Sequence, residues 1–383
     1  MIMKKKLIIA IATCVGMQLI ATAQTDYQKK YSNTNQLSVQ GKLNDEGRRT
    51  GNWTWWYENG KISQEGSYVN GIKNGVWTLY YEDGSRMAEE CYSTGTSRSW
   101  HRNGDLKSEV SVENGKKNGL YRSWHDNGQK EEEVTYVNGK REGKTTQWFS
   151  NGTVRFTGQY KDDELQGDAV WYFPNGKVDM KGKLVDGMQD GEWLFYWRSN
   201  GKLGIQGTYA QGKEIGQWTY YYETGERWRA GNYRNGKREG LWTTWYESGA
   251  KLHEGNYENG KEEGKWVAWY EDGKVDYYGE FSEGQMDGEW KGLYDDGTTR
   301  YIIHYTDNEK NGEEIHYYPN GKIEYRQNYK NGILDGKYER STEAGAPVEK
   351  GQFVDGEKEG RWTWYDNGRE VYKAKFKAGK EVK

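Results

Sequence analysis

The glycine of one turn returns at a near-fixed interval along almost the whole chain: Gly60, Gly84, Gly104, Gly128, Gly152, Gly176, Gly201, Gly225, Gly249, Gly273, Gly297, Gly321, Gly345 and Gly368. The steps are 24, 20, three of 24, 25, six of 24, and 23 residues. Periods in this range mark solenoids, propellers and arrays. In such chains each unit leans on its neighbours, and the product is a continuous surface in place of one thick core. The spacing argues for binding and against a pocket enzyme before any single residue is weighed.

Composition agrees. The 383 residues are 33% hydrophobic and 30% charged, a balance that usually goes with disorder. The 19 Trp and 32 Tyr argue otherwise, because disordered chains are poor in aromatics. Rings carry the apolar surface, so many thin aromatic clusters are expected. The net charge is −3, and loss of Lys4, Lys5 and Lys6 with a leader would make it −6. No basic stripe survives that balance, which excludes nucleic acid as the expected partner. Of the two cysteines, Cys14 falls in the leader and Cys91 stands alone beyond it. One mature cysteine makes neither an internal disulfide nor a cysteine-based zinc site.

Residues 1–23 read as a secretory signal peptide. Lys4 to Lys6 form the basic region, LIIAIATCVGMQLIA the apolar region, and Ala21-Thr22-Ala23 the small-residue cleavage site before Gln24. The expectation is export, to the periplasm, the cell envelope or the medium.

One clear unit is GNWTWWYENGKISQEGSYVNGIKNG, Gly51 to Gly75. Asn-Gly occurs seventeen times in the chain, mostly at two fixed phases. It is the strongest short hairpin signal, because a type I′ turn needs positive φ at both central residues. Asn59-Gly60 and Asn70-Gly71 are then the two turns of a unit, leaving two strands between them. With two-residue loops at both, Tyr57 faces Ile62, Trp53 faces Gly66, and Trp77 falls near Gln64. Alternation puts Trp53, Tyr57, Ile62, Gly66, Tyr68 and Gly75 on one face. Gly66 and Gly75 would let an indole lie flat on backbone.

Repetition then defines columns. Trp53, Trp77, Trp193, Trp218, Trp242, Trp266 and Trp290 form a structural column over the glycines. Tyr81, Tyr222, Tyr246, Tyr270 and Tyr318 form a second. Tyr68, Tyr136, Tyr160, Tyr209, Tyr233, Tyr257 and Phe281 form a third. Trp56, Tyr80, Trp124, Trp148, Tyr172, Tyr221, Trp245 and Trp269 point to the opposite face and are the candidate exposed binding column. The predicted fold is all-β: an elongated, single-layer antiparallel meander of about fourteen two-stranded hairpins. About 28 strands at ~4.8 Å make a ribbon on the order of 130 Å long, twisted as sheets are. Residues 24–50 read as an N-terminal cap or linker and 51–380 as the array. Three stretches break the pattern: STGTS at Ser93–Ser97, Asp307-Asn308, and STEAGAP at Ser341–Pro347. The first is expected to be a kink or bulge.

The unit G-x-W-x-x-Y-Y-x-N-G-K-x-x-x-x-G-x-Y-x-N-G-K-x-x-G resembles the MORN repeat (membrane occupation and recognition nexus) in its bacterial variant form, over roughly residues 50 to 380. Bacterial chains of this type are similar to the YwqK family of antitoxins, the immunity partners of secreted toxins. The resemblance implies an antiparallel sheet with two strands per repeat, protein or membrane contact, and no catalysis by the repeats. A signal peptide would place such a partner outside the cytoplasm.

No chemistry of a catalytic kind is legible. His101 and His125 stand where neighbouring units have the second-column tyrosine, and read as structural; His253, His304 and His316 complete the set. Glu142, Glu239, Glu263 and Glu359 read as solvated turn residues. There is neither a phosphate-cradling loop nor a nucleophile elbow. No enzyme, metal or cofactor is expected. The function expected is an exported protein-binding scaffold, antitoxin-like, whose partner is a toxin or an envelope protein. Tyr and Trp are typical anchors for that task. The alternative is a cell-wall glycan or membrane-lipid binder using the same rings, with tandem weak sites adding avidity.

Overall fold

The computed structural model describes residues 24–383; the signal-peptide reading and Cys14 lie outside the described residues. Thirty-two strands run between Thr25 and Val382. The chain divides into two compact units, one ending at Met188 and the other Gln189–Lys383. Within each, consecutive strands pair antiparallel and the chain meanders, as in Arg49–Trp56 with Ile62–Val69, and Lys237–Trp245 with Lys251–Glu258. The first unit begins with Thr25–Lys30 and Leu37–Leu43, which extend the meander ahead of the first tryptophan. Tyr27 tilts against Trp53 at 5.4 Å.

The two turns of a unit differ, which corrects the expected loop lengths. Asn70-Gly71 is the two-residue type I′ loop, with φ of 47° and 86°, and Val69 pairs Ile72. The first turn is longer by one residue. Gly60 N–H donates to the Tyr57 carbonyl and Tyr57 N–H to the Lys61 carbonyl, and only Gly60 is left-handed (φ 84°). That is a type I turn closed by a glycine bulge. Trp56, not Tyr57, therefore pairs with Ile62. Asp307-Asn308 makes the second turn with φ of 51° and 67°, because Asn and Asp tolerate the left-handed region. Thr342 to Ala346 closes the first turn through Gly345. Neither stretch is degenerate in backbone. STGTS does shorten its hairpin: Arg86–Cys91 and Gly95–Trp100 have six residues each, and the Ser97 hydroxyl accepts the Cys91 amide.

Packing rests on indoles laid on glycine. Trp53 does pair with Gly66, but the ring over Gly66 is that of Trp77, one strand further on. The same offset sets Trp218 on Gly207, Trp242 on Gly231, Trp266 on Gly255, Trp290 on Gly279 and Trp362 on Gly351. A Cβ at any of these glycines would sit inside the ring. Gly75 has another role, again a correction. It lies at φ 68° with no atom near a would-be Cβ, and forms the bulge that lets Gly66 face Gly75 to Trp77. Trp77 thus falls beside Gly66 and not Gln64. Burial of such a ring contributes roughly 2–3 kcal/mol. Third-column rings meet the indoles edge-on, Tyr209 with Trp218 at 5.0 Å and Tyr233 with Trp242 at 5.2 Å.

In three of the units that lack the tryptophan, the glycine is missing too. Val110 pairs Tyr121, Val134 pairs Thr145, and Ile303 pairs Glu314. Val134 and Thr145 are 0% and 2% exposed. A branched side chain fills the space that the indole leaves, so sheet thickness is kept.

Candidate ring-lined binding groove

The opposite-face column is placed by the strand ends. Trp56, Tyr80, Trp124, Trp148, Tyr172, Tyr221, Trp245 and Trp269 are each the last residue of a strand, and all eight are half-buried, not freely exposed as expected. Their main chains explain the position. Tyr57 donates its hydroxyl to the Tyr80 carbonyl, Tyr222 to Trp245, and Tyr246 to Trp269. His101 and His125 bring Nε2 to 2.8 and 3.0 Å from the Trp124 and Trp148 carbonyls, doing the tyrosine's work. Three of the rings carry a cation. Lys130 lies 5.3 Å from the Trp148 ring, Arg227 6.0 Å from Trp245, and Lys251 5.4 Å from Trp269. Lys130 and Lys251 also pair with Glu133 and Glu254.

On the glycine face, Trp53, Trp77, Trp193, Trp218, Trp242 and Trp290 are buried as expected, while Trp266 is only half-buried. In four units of the array a cation four residues before the ring lies on it. Arg49 sits 4.8 Å from the Trp53 ring, Lys73 4.3 Å from Trp77, Arg238 4.9 Å from Trp242, and Lys358 4.1 Å from Trp362. Lys117 covers Tyr121 in the same way at 5.1 Å. Each cation lies on the negative face of an aromatic quadrupole. Before Trp193, Trp218, Trp266 and Trp290 the same position holds Gln189, Glu214, Glu262 and Met286.

A groove of about 510 Å³ opens there, in the second unit. Tyr257, Trp266, Tyr277, Phe281, Trp290 and Tyr301 wall it, with Glu262 and Met286 beside them. Small residues, Ala268 and Gly292, stand where other repeats place a second ring such as Trp55 or Tyr220, and the Tyr301 ring lies on Gly292. Two polar atoms in its wall, Trp266 Nε1 and His253 Nδ1, are buried without a hydrogen-bond partner. Other indoles of the column are anchored; Trp242 Nε1 donates to the Asn232 carbonyl and Trp290 Nε1 to that of Glu280, both at 3.1 Å. Burial pushes the His253 imidazole below its ordinary value, so it adds no charge near neutrality. Burial, then the Arg238 and Glu262 charges acting in opposite senses, leave the Tyr257 hydroxyl pKa raised.

The groove was not legible from the aromatic columns. The position two residues after the indole distinguishes it best, Ala268 and Gly292 against Trp55, Phe195, Tyr220 and Trp364. The turn carboxylates also do more than meet solvent. Glu142, Glu239, Glu263 and Glu359 accept the main-chain N–H of Asp162, Asn259, Glu283 and Ala378, one turn further on. Among the described residues, no group of three or more His, Cys, Asp or Glu could hold a metal ion.

A family model described as MORN repeat variant matches residues 49–70, 73–94, 93–114, 117–138, 141–162, 165–184, 238–259, 262–283 and 310–331, together more than half of the chain. No curated protein matches the sequence. Solved structures with similarity include TcdB2-TccC3-Cdc42, at 11% identity and TM-score 0.15 over 90% of this chain and 24% of that one. TcdB2-TccC3-TEV gives 11% and 0.16 over 93% and 23%. The chain spans about a quarter of the length of these solved chains, and a likeness at such scores carries no argument.

Proposed function

The chain belongs to the MORN repeat variant family, and from that premise we propose that it is an exported, non-catalytic scaffold that binds another protein, in an antitoxin- or immunity-like role. The observation that supports this reading best is the groove over Trp266 and Trp290. Its lining is mainly aromatic and contains no Lys or Arg, whereas the chain lays its own Lys or Arg on the rings of Trp53, Trp77, Trp242 and Trp362. Uncovered aromatic surface of this kind is typical of protein interfaces, where Trp and Tyr anchor the contact. Of the opposite-face rings, Trp148, Trp245 and Trp269 are covered in part by the chain's own cations.

Capture from solubilised cell envelope tests the reading. The immobilised protein is expected to retain a discrete protein that is lost when the extract is first treated with protease, and mass spectrometry identifies it. Retention of a protease-resistant glycan or lipid, with no protein, would overturn the scaffold reading in favour of wall or membrane binding.

A further inference from the structure

Four observations meet at the groove. Its lining contains no Lys or Arg and one carboxylate, Glu262. The position four before the indole, a cation at Trp53, Trp77, Trp242 and Trp362, holds Glu262 and Met286 here, as it holds Gln189 and Glu214 before Trp193 and Trp218; the units on either side carry Arg238 and Lys310. Those flanking cations are already engaged, Arg238 with the Tyr257 hydroxyl at 2.9 Å and Lys310 with Glu314 at 2.8 Å. Trp266 Nε1 and His253 Nδ1 stand buried and unpartnered in the wall. An indole face beside a carboxylate, with no internal cation, has the electrostatics of a site for an external one.

We propose that this groove takes arginine or lysine side chains from an extended, basic segment of a partner protein. The inference rests on the protein-binding reading and names what the partner must present. Guanidinium or ammonium groups would lie on Trp266 and Trp290 as Lys73 and Lys358 lie on Trp77 and Trp362, with Glu262 supplying the counter-charge. Adjacent indoles of the column are two strands apart, roughly 9–10 Å, and an extended polyproline II segment advances ~3.1 Å per residue with about three residues per turn, so that side chains three apart share a side. Basic residues three apart fit that spacing. Guanidinium is the better match, because it stacks on a ring and pairs with a carboxylate at once.

The test uses the full chain and a blocked peptide, Gly-Arg-Gly-Gly-Arg-Gly, against the same peptide carrying Glu for Arg. Binding is followed by calorimetry and by the indole N–H signals in NMR. The arginine peptide is expected to bind and the glutamate peptide not. A Glu262→Lys, Met286→Lys double variant restores the chain's own caps, and should lose at least tenfold in affinity while its thermal unfolding is not lowered. Glu262→Gln, which keeps shape and removes charge, should lose a few-fold, and decides the matter if the double variant does not fold. Equal binding to wild type and these variants, or no preference over the glutamate peptide, would overturn the assignment. The two proposals fail separately. A captured partner held equally by the folded double variant overturns the groove assignment and leaves the scaffold reading standing. Absence of any captured protein overturns the scaffold reading, and the peptide titration still decides the groove's chemistry.

Discussion

Valine in place of Gly231 is expected to unfold the repeat around it. The Trp242 ring lies on Gly231 and is 4% exposed, and its Nε1 is tied to the Asn232 carbonyl at 3.1 Å. A Cβ there collides with the indole, and the ring has nowhere to go. Overpacking of a core usually costs about 1–3 kcal/mol, and a tethered ring on a rigid sheet puts this case at ~3 kcal/mol or above. Trp242→Thr alone removes the indole and leaves a cavity, at roughly 3–5 kcal/mol. The pair together is different, because the chain already contains it: Val134 pairs Thr145, fully buried, in a well-formed unit. The double variant should therefore cost less than either single one, with a coupling of about 2–3 kcal/mol. Hydrogen exchange of Arg227–Arg234 and Lys237–Trp245 is the right measurement, because units of an array unfold semi-independently and a single transition need not describe them. Additive costs in the double variant would contradict the complementarity of ring and glycine.

The second large effect is a pH dependence confined to one strand. Glu314 stands in the tryptophan column of the second unit, 2% exposed. Burial pushes its carboxyl up, but hydrogen bonds from His316, Lys310 and Gln327 outweigh this and hold it at about 2, against an ordinary 4.5. Lys310 Nζ and His316 Nε2 lie 2.8 and 3.0 Å from Oε1, and Gln327 Nε2 lies 2.7 Å from Oε2. The fold favours the ionised form, so this contribution is fully present above pH 4.5 and is lost as pH falls from 4.5 towards 2. Its size is about 2–3 kcal/mol. Protection of Glu309–Tyr317 should fall over that window, more steeply than that of Lys237–Trp245, whose column position is a tryptophan. Glu314→Gln should flatten the difference and lower protection at neutral pH, since it leaves Lys310 without its counter-charge. An unchanged pH profile in the variant would show that the carboxylate does not carry it.

Much of this fold was readable because the period is repeated so often. Column membership of the indoles, the glycine partners and the type I′ turn at Asn70-Gly71 all follow from spacing and alternation. Reading Asn59-Gly60 as a second type I′ turn failed for a physical reason. Asn59 is selected for its side chain and not its φ: Oδ1 accepts the Lys61 N–H while Nδ2 donates to the Glu82 carbonyl of the next turn. Propensity reports which residue favours a turn and is silent on bonds made 23 residues away. The shift of Trp77 onto Gly66 was hidden likewise, since a bulge at Gly75 moves the register without altering the pattern of residue types. The groove was harder still. Trp266, Trp290, Tyr257 and Phe281 belong to columns shared with other repeats, while Tyr277 and Tyr301 belong to none of them, and small residues at Ala268 and Gly292 replace a second ring.

The most direct test of the claim that binding occurs in the groove beside Trp266 and Trp290 is hydrogen exchange of the full protein, with and without its bound partner or the arginine peptide. Slowed exchange is expected along Lys261–Trp269 and Gln285–Leu293, the strands bearing Trp266 and Trp290. Protection found only around the opposite-face rings, such as Trp124 and Trp148, would contradict it.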